Sequence, residues 1–137
     1  MADVKILVVG SGGREHALAW RLAHEATVVA TPGNPGIAED GIECRSGDLR
    51  DILAADRFDL VVFGPEEPLV RGVADDLRAA GHLVYGPGRD GARLEASKAF
   101  SKEVMTAAGV PTAAFGAFTD PAAATAFARE RFARGKG

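Results

Sequence analysis

Short apolar runs separated by polar segments organise the first 90 residues of the chain. Residues 4–9, 27–30, 60–63 and 82–85 are short, rich in β-branched residues and closely followed by glycine or proline, which predicts buried strands. Residues 42–44 are a candidate for a further short strand. Helical patterns lie between them, at residues 14–24 and at residues 48–57, where Asp48 is the expected N-cap.

The segment after residue 60 shows the same alternation. Residues 64–68 are expected to form a loop, and Val70, Val73, Ala74 and Leu77 then share one face of a helix that Gly81 closes. Residues 31–39 carry the sequence PGNPG and are expected to be irregular. Strands alternating with amphipathic helices predict an α/β fold with a doubly wound, mainly parallel sheet, whose carboxyl edge carries the glycine- and proline-rich loops.

The pattern changes beyond residue 90. Residues 96–108 predict a helix that Gly109 to Pro111 ends, residues 113–118 are a candidate strand, and Asp120 with Pro121 predicts the start of a last helix reaching about residue 134. We therefore expect a domain at residues 1–90, followed at residues 91–137 by a short C-terminal helical extension.

The composition and net charge of the chain exclude some classes of protein and of binding partner. The chain has 137 residues, 47% hydrophobic and 26% charged, which excludes a disordered chain, and its net charge of −3 makes nucleic acid or an anionic membrane a poor partner. The lone Cys44 cannot form an internal disulfide, and with three histidines it makes no recognisable zinc site. The apolar run at residues 6–9 is too short for a signal peptide or a membrane span, and the lack of a cysteine framework favours a reducing cytoplasm over secretion.

The turn at residues 10–13, Gly-Ser-Gly-Gly, is the main candidate for ligand binding. A helix beginning beside Gly12 and Gly13 would present backbone N–H groups and a positive dipole end to an anion. A dinucleotide is disfavoured because Glu15 stands where the G-x-G-x-x-G fingerprint needs a small residue, and no acid follows Ala30. A phosphate ester fits better, and a tight turn without a ligand is the alternative.

Two further loops follow strands that should end at the same edge. In residues 32–36, Asn34 is a candidate to bond a sugar hydroxyl, although the sequence alone is also that of a simple turn. In residues 64–68, Glu66 is a candidate for ribose hydroxyls or an amine, whereas Glu67 more simply favours a helix N-terminus. His16 either contacts the ligand or packs.

Four motifs together resemble the phosphoribosylamine–glycine ligase family of ATP-grasp enzymes. Residues 8–20, VVGSGGREHALAW, resemble the start of that family, and residues 32–36 its P-G-N-x-G loop. Residues 62–70, VFGPEEPLV, resemble its V-G-P-E-x-P-L-V segment. Residues 94–102, LEASKAFSK, resemble its L-E-G-S-K-A-F-x-K helix, with Ala96 in place of the usual glycine. The resemblance extends from residue 4 to about residue 128, in the family's order and spacing.

The resemblance implies a Rossmann-like N-terminal domain that contributes to a 5-phosphoribosylamine site. The whole enzyme would join glycine to that amine through a glycyl phosphate in de novo purine synthesis, using ATP and magnesium or manganese. Lys98 matches a lysine that approaches the nucleotide phosphates, and no catalytic or metal-binding residue is assigned here. The expected substrate-binding residues are Ser11, Gly12, Gly13, Arg14, Glu15, His16, Pro32, Gly33, Asn34, Pro65 and Glu66.

The chain ends where the ATP-binding lid of such a ligase should begin, so we expect an N-terminal fragment that is inactive alone and binds no cofactor tightly. Three alternatives stay open. The first is the equivalent domain of another ATP-grasp carboxylate–amine ligase, which the match at residues 13–16 disfavours. The second is a non-catalytic phosphosugar-binding module. The third is an NAD-dependent oxidoreductase domain, which Glu15 disfavours.

Overall fold

The computed structural model describes residues 4–135, which contain one sheet of five parallel strands in the order β3-β2-β1-β4-β5. The strands are β1 Lys5–Gly10, β2 Thr27–Pro32, β3 Glu43–Cys44, β4 Leu60–Phe63 and β5 Val84–Tyr85. The order reverses between β1 and β4, as in a doubly wound sheet. The predicted fold class is confirmed.

Residues 4–135 also contain eight helices. They are α1 Gly13–Leu22, α2 Pro35–Glu39, α3 Leu49–Ala55, α4 Glu66–Val70, α5 Val73–Ala79, α6 Arg89–Ala96, α7 Lys98–Ala107 and α8 Pro121–Ala133. None of these helices has the length and apolar character needed to cross a membrane.

Both faces of the sheet are buried, which explains why its central strands are apolar at successive positions. Leu7 and Val61 lie in the core on the face that carries α3 and α5, and Val8 lies in the core on the face that carries α1 and α2. All three are fully buried. Each such side chain stabilises the fold by about 1.5–3 kcal/mol relative to an exposed one.

The segment predicted to be irregular at residues 31–39 is partly regular. Strand β2 continues to Pro32, and helix α2 begins at Pro35 because Asn34 caps it. The Asn34 side chain accepts a hydrogen bond from the Ile37 N–H at 2.9 Å, and a proline at the first helical position needs no donor.

The predicted loop 64–68 and the helix that follows it also differ. Helix α4 begins at Glu66, inside that loop, and the apolar face beginning at Val70 belongs to two helices rather than one. Gly72 interrupts them with a φ of +87°, and an added Cβ there would lie 2.8 Å from the Arg89 Nε atom. Only glycine adopts this left-handed conformation readily.

The chain divides into two compact units, the first ending at Ala92 and the second beginning at Arg93. In the second unit, Ser97 separates α6 from α7 by accepting a hydrogen bond from the Phe100 N–H, so the helix predicted from residue 96 begins two residues later. Residues 113–118 are not a strand, since they are exposed and no described strand pairs with them. Asp120 caps α8 as predicted.

Candidate functional site

Three loops meet at the carboxyl edge of the sheet, one after each of β1, β2 and β4. Because β1 lies between β2 and β4, the first loop is flanked by the other two. Backbone hydrogen bonds join them: the Gly33 N–H donates to the Gly10 carbonyl at 3.2 Å, and the Gly64 N–H donates to the Val9 carbonyl at 3.0 Å. The loops surround the point at which the strand order reverses, where ligands of open α/β sheets bind.

Glu15 is buried at the centre of this edge, with 4% of its surface exposed. Its carboxylate accepts a hydrogen bond from the Gly12 N–H at 2.7 Å and another from the Arg14 Nε–H at 3.0 Å. The first of these bonds satisfies a backbone donor at the start of α1 that has no intrahelical partner. Glu15 therefore holds the first loop against its own helix.

Two glycines make the room that the Glu15 side chain occupies. An added Cβ at Gly10 would lie 2.7 Å from the Glu15 Cδ atom, and Gly10 also has a φ of +136°. An added Cβ at Gly64 would overlap the Oε1, Cγ and Cδ atoms of Glu15, and no other residue stands among its three nearest contacts. The glycines that end β1 and follow β4 are thus packing partners of one carboxylate.

Two groups in the first loop have roles that differ from those predicted from the sequence. The Gly12 N–H, expected to bind an anion, donates to Glu15, and the Glu15 carboxylate, expected to touch substrate, is turned into the protein. Gly13 lies in open space, with no atom within 4 Å of an added Cβ. Among the predicted backbone donors, Gly13 is the one whose surroundings leave room for a ligand.

Arg14 connects the first loop to the third. Its side chain is 53% exposed, donates to Glu15 and brings Nη2 to 3.8 Å from a carboxylate oxygen of Glu66. Glu66 and Pro65 stand at the beginning of α4, with Pro65 as its N-cap. The guanidinium thus lies between two carboxylates at the rim of the site.

Asn34 connects the first loop to the second. Its side-chain amide donates to the Ser11 carbonyl at 2.9 Å while its oxygen caps α2. The cap was detectable in the sequence, since asparagine followed by proline is a common helix start, but the bond to Ser11 was not. Asn34 therefore fixes the distance between the two loops.

His16 packs within the site. Its Nε2 lies 2.7 Å from an Asp40 carboxylate oxygen, and its Cε1 would lie 2.8 Å from a Cβ added at Gly36. On the other side of the second loop, Gly33 has a φ of +72°, and a Cβ there would overlap the Cys44 Sγ atom. The second loop is thus in close contact with His16 on one side and with Cys44 on the other, while Pro32 is exposed.

The two lysines of α7 differ in their surroundings within the second unit. Lys98 is exposed in the first turn of the helix. Lys102 donates hydrogen bonds to the Thr112 hydroxyl and, at 3.3 Å, to the Ala113 carbonyl. Lys98 therefore has the exposure that a phosphate-binding lysine requires, whereas Lys102 joins α7 to the segment at residues 112–113.

The clearest pKa shifts arise in an ion-pair cluster of Lys5, Glu43, Arg45 and Asp56. A hydrogen bond from Lys5, and then one from Arg45, holds the pKa of Asp56 below its ordinary value. A hydrogen bond from Arg45 likewise lowers the pKa of Glu43. No group of three or more His, Cys, Asp or Glu side chains within residues 4–135 is placed to hold a metal ion.

Comparison with known proteins finds relatives that are named as phosphoribosylamine–glycine ligases. Phosphoribosylamine–glycine ligase of Mesorhizobium japonicum is 47% identical over 133 residues, covering 90% of this chain and 31% of the relative. The trifunctional purine biosynthetic protein adenosine-3 of Gallus gallus is 46% identical, covering 93% of this chain and 14% of the relative. A crystal structure of phosphoribosylamine–glycine ligase from Thermotoga maritima matches with a TM-score of 0.62 and 31% identity, over 82% of this chain and 27% of that one.

The chain thus spans about a third of the length of the curated ligases it matches. The biotin carboxylase subunit of pyruvate carboxylase shares the fold with a TM-score of 0.57 at 24% identity, over 92% of this chain and 32% of that one. The model of the family described as phosphoribosylglycinamide synthetase, N domain, matches residues 4–95, which is more than half of the chain. The chain belongs to that family.

Proposed function

We propose that this chain is the N-terminal part of a phosphoribosylamine–glycine ligase. In the proposed reaction, ATP phosphorylates the glycine carboxylate, and the amine of 5-phosphoribosylamine attacks the glycyl phosphate and releases phosphate. The observation that carries the proposal is the meeting of three loops around α1 in a chain 47% identical to such a ligase. Ligase activity belongs to the longer protein.

The contribution of this chain is to bind the phosphosugar. The Gly13 N–H and the exposed Arg14 guanidinium would bind its phosphate, because both lie at the positive end of α1. The Glu66 carboxylate would accept hydrogen bonds from ribose hydroxyls across the rim. Glu15 and Asn34 would act by holding the loops in position. The remaining proposed contacts are Ser11, Gly12, His16, Pro32, Gly33 and Pro65.

The proposal divides the chain by role. Residues 1–90 bind the substrate, and residues 91–137 begin the ATP-grasp region, where Lys98 would approach the nucleotide phosphates. No residue of this chain is proposed to bind the metal. We also propose a cytoplasmic location and small-molecule partners, which the free Cys44 and the net charge of −3 support.

Replacing Gly13 by valine tests the phosphate site. A valine side chain fits the fold, since nothing lies within 4 Å of its Cβ, but it would fill the space in front of the N–H group. We expect the Kd for ribose 5-phosphate, measured by calorimetry, to rise at least tenfold, which is about 1.4 kcal/mol. Ala23→Val, at the exposed far end of the same helix, is the control and leaves the Kd unchanged.

The expected thermal transition of Gly13→Val lies close to that of the parent chain. A folded Gly13→Val chain that binds ribose 5-phosphate as tightly as the parent would place the phosphate elsewhere and remove the basis for this site.

A further inference from the structure

A cavity of about 310 Å³ opens at the same edge of the sheet but on the opposite face from α1. Its walls include Val9, Leu49, Pro68 and Val73. Val9 points to the face that carries α3 and α5, because its core neighbours include Ile52 on α3. The cavity is therefore separated by the sheet from the α1 face.

The cavity contains an unusual polar group, the hydroxyl of Thr31. Thr31 pairs in register with Val9 and lies two residues beyond Val29 on β2, so its side chain is on the cavity face. Only 5% of Thr31 is exposed, and no residue within 4–135 forms a hydrogen bond with its hydroxyl.

That hydroxyl is not sealed off. Within the described part of the chain, no side-chain polar atom is both inaccessible and without a hydrogen-bond partner. The Thr31 oxygen must therefore reach solvent, and the cavity that Thr31 lines is the space available to it. A bound molecule can use the hydroxyl as donor or acceptor.

Charged groups of both signs line the same cavity. Arg50 and Arg71 line it, together with two acidic residues, Asp48 and Asp76. The Asp48 carboxylate is engaged as the N-cap of α3, where it accepts a hydrogen bond from the Arg50 N–H at 2.8 Å. Arg71 forms an ion pair with Glu67 at 3.0 Å, but both side chains are 67% exposed, and such a pair contributes little to stability. Its guanidinium is thus available to an anion at small cost.

We propose that this cavity binds a nucleoside monophosphate. The phosphate would bind the two arginines, ribose hydroxyls or an exocyclic amine would donate to Asp76, and the ring would contact the apolar walls beside Thr31. A ribose phosphate has no base to cover the apolar walls, which would stay in contact with water. A free nucleoside has no phosphate for the two arginines to bind. The volume lies at the lower end of the range for small-molecule sites.

The test is a titration of the chain with adenosine 5′-monophosphate in phosphate-free buffer, in which binding is measured by calorimetry and by changes in amide chemical shifts. We expect a Kd below 1 mM that rises at least tenfold in Arg71→Met and at least threefold in Thr31→Val. Adenosine, which lacks the phosphate, should bind Arg71→Met and the parent equally. Because Thr31 loses no partner, Thr31→Val should unfold at the parent's temperature or above it.

Two variants make the result specific. Arg21→Met removes an arginine from a similar pair, with Glu25 four residues on and 62% of the Arg21 side chain exposed, and it should leave the Kd for adenosine 5′-monophosphate unchanged. Gly13→Val should weaken ribose 5-phosphate and spare adenosine 5′-monophosphate, so the two sites fail separately. The proposal is overturned by no binding at 10 mM, by binding that Gly13→Val abolishes, or by binding that survives both Arg71→Met and Thr31→Val.

Discussion

Replacing Gly64 by alanine adds one methyl group at the most crowded point of the carboxyl edge. The Gly64 backbone does not have a left-handed φ, so the substitution introduces no backbone strain. Its N–H can still donate to the Val9 carbonyl. The entire effect must come from the collision of the new methyl group with Glu15, whose Cγ and Cδ are overlapped as well as the more mobile Oε1.

The magnitude follows from what Glu15 would lose. Overpacking of a filled site costs about 1–3 kcal/mol. A displaced Glu15 also gives up its hydrogen bond from the Gly12 N–H, and a bond to a charged group contributes about 1.5–3 kcal/mol. The second loss is partial if the carboxylate finds water. We expect Gly64→Ala to lower the free energy of unfolding by about 3 kcal/mol, a large fraction of the 5–15 kcal/mol usual for a domain.

Urea denaturation followed by the fluorescence of Trp20, the only tryptophan, measures this directly, because Trp20 lies in the same helix as Glu15. Gly13→Ala is the matched control, since its methyl group meets nothing within 4 Å, and it should change stability by less than about 1 kcal/mol.

A double-mutant cycle identifies the cause of the effect. In a Glu15→Ala background the space beside Gly64 is empty, so Gly64→Ala should then cost less than about 1 kcal/mol, a coupling of about 2 kcal/mol. Equal losses in the parent and in the Glu15→Ala background would show that the Glu15 carboxylate does not occupy this space, and the assignment of Gly64 as its packing partner would be wrong.

Two further predictions concern the second loop and the ion-pair cluster. Asn34→Ala should lower stability by about 1–2 kcal/mol in chemical denaturation, because it removes a helix cap together with the bond to Ser11, whereas Asn34→Asp, which keeps the cap, should lose less. Lys5 and Arg45 hold the pKa of Asp56 below 3.8, so its stabilising effect is complete above that pH and is lost as pH falls through the lowered pKa. Stability measured from pH 6 to pH 2 should therefore fall less steeply in Asp56→Asn, and an unchanged slope would contradict this.

The class of fold could be predicted from the sequence because burial on two faces leaves a strong pattern. Strand β4 is apolar at every position and β1 is apolar from Ile6 to Val9, and a glycine marks the end of each, Gly10 within β1 and Gly64 directly after β4. The strand order β3-β2-β1-β4-β5 is a common order in doubly wound α/β sheets. Helix α2 was missed although Asn34 and Pro35 signal it, because the surrounding glycines and prolines were taken to exclude regular structure.

The interior of the site could not be predicted in the same way. A glutamate in the first turn of a helix beside a glycine-rich loop has the same sequence whether its carboxylate faces a ligand or the protein. What decides the direction is Gly64, which lies 49 positions further along the chain and becomes a neighbour of Glu15 only when β4 pairs with β1. The exposure of Lys98 and the partners of Lys102 depend in the same way on contacts that helical spacing does not contain.

The position of Glu15 gives a physical reason why this edge differs from a dinucleotide site. In the dinucleotide fingerprint a small residue on the helix lets helix and strand approach closely. In this chain the helix carries the large residue, and the strands supply the space through Gly10 and Gly64. A carboxylate then stands where the strand order reverses and takes the Gly12 N–H. A pyrophosphate there would meet a negative charge in place of that donor, whereas a single phosphate bound further out, at Gly13 and Arg14, would not displace Glu15.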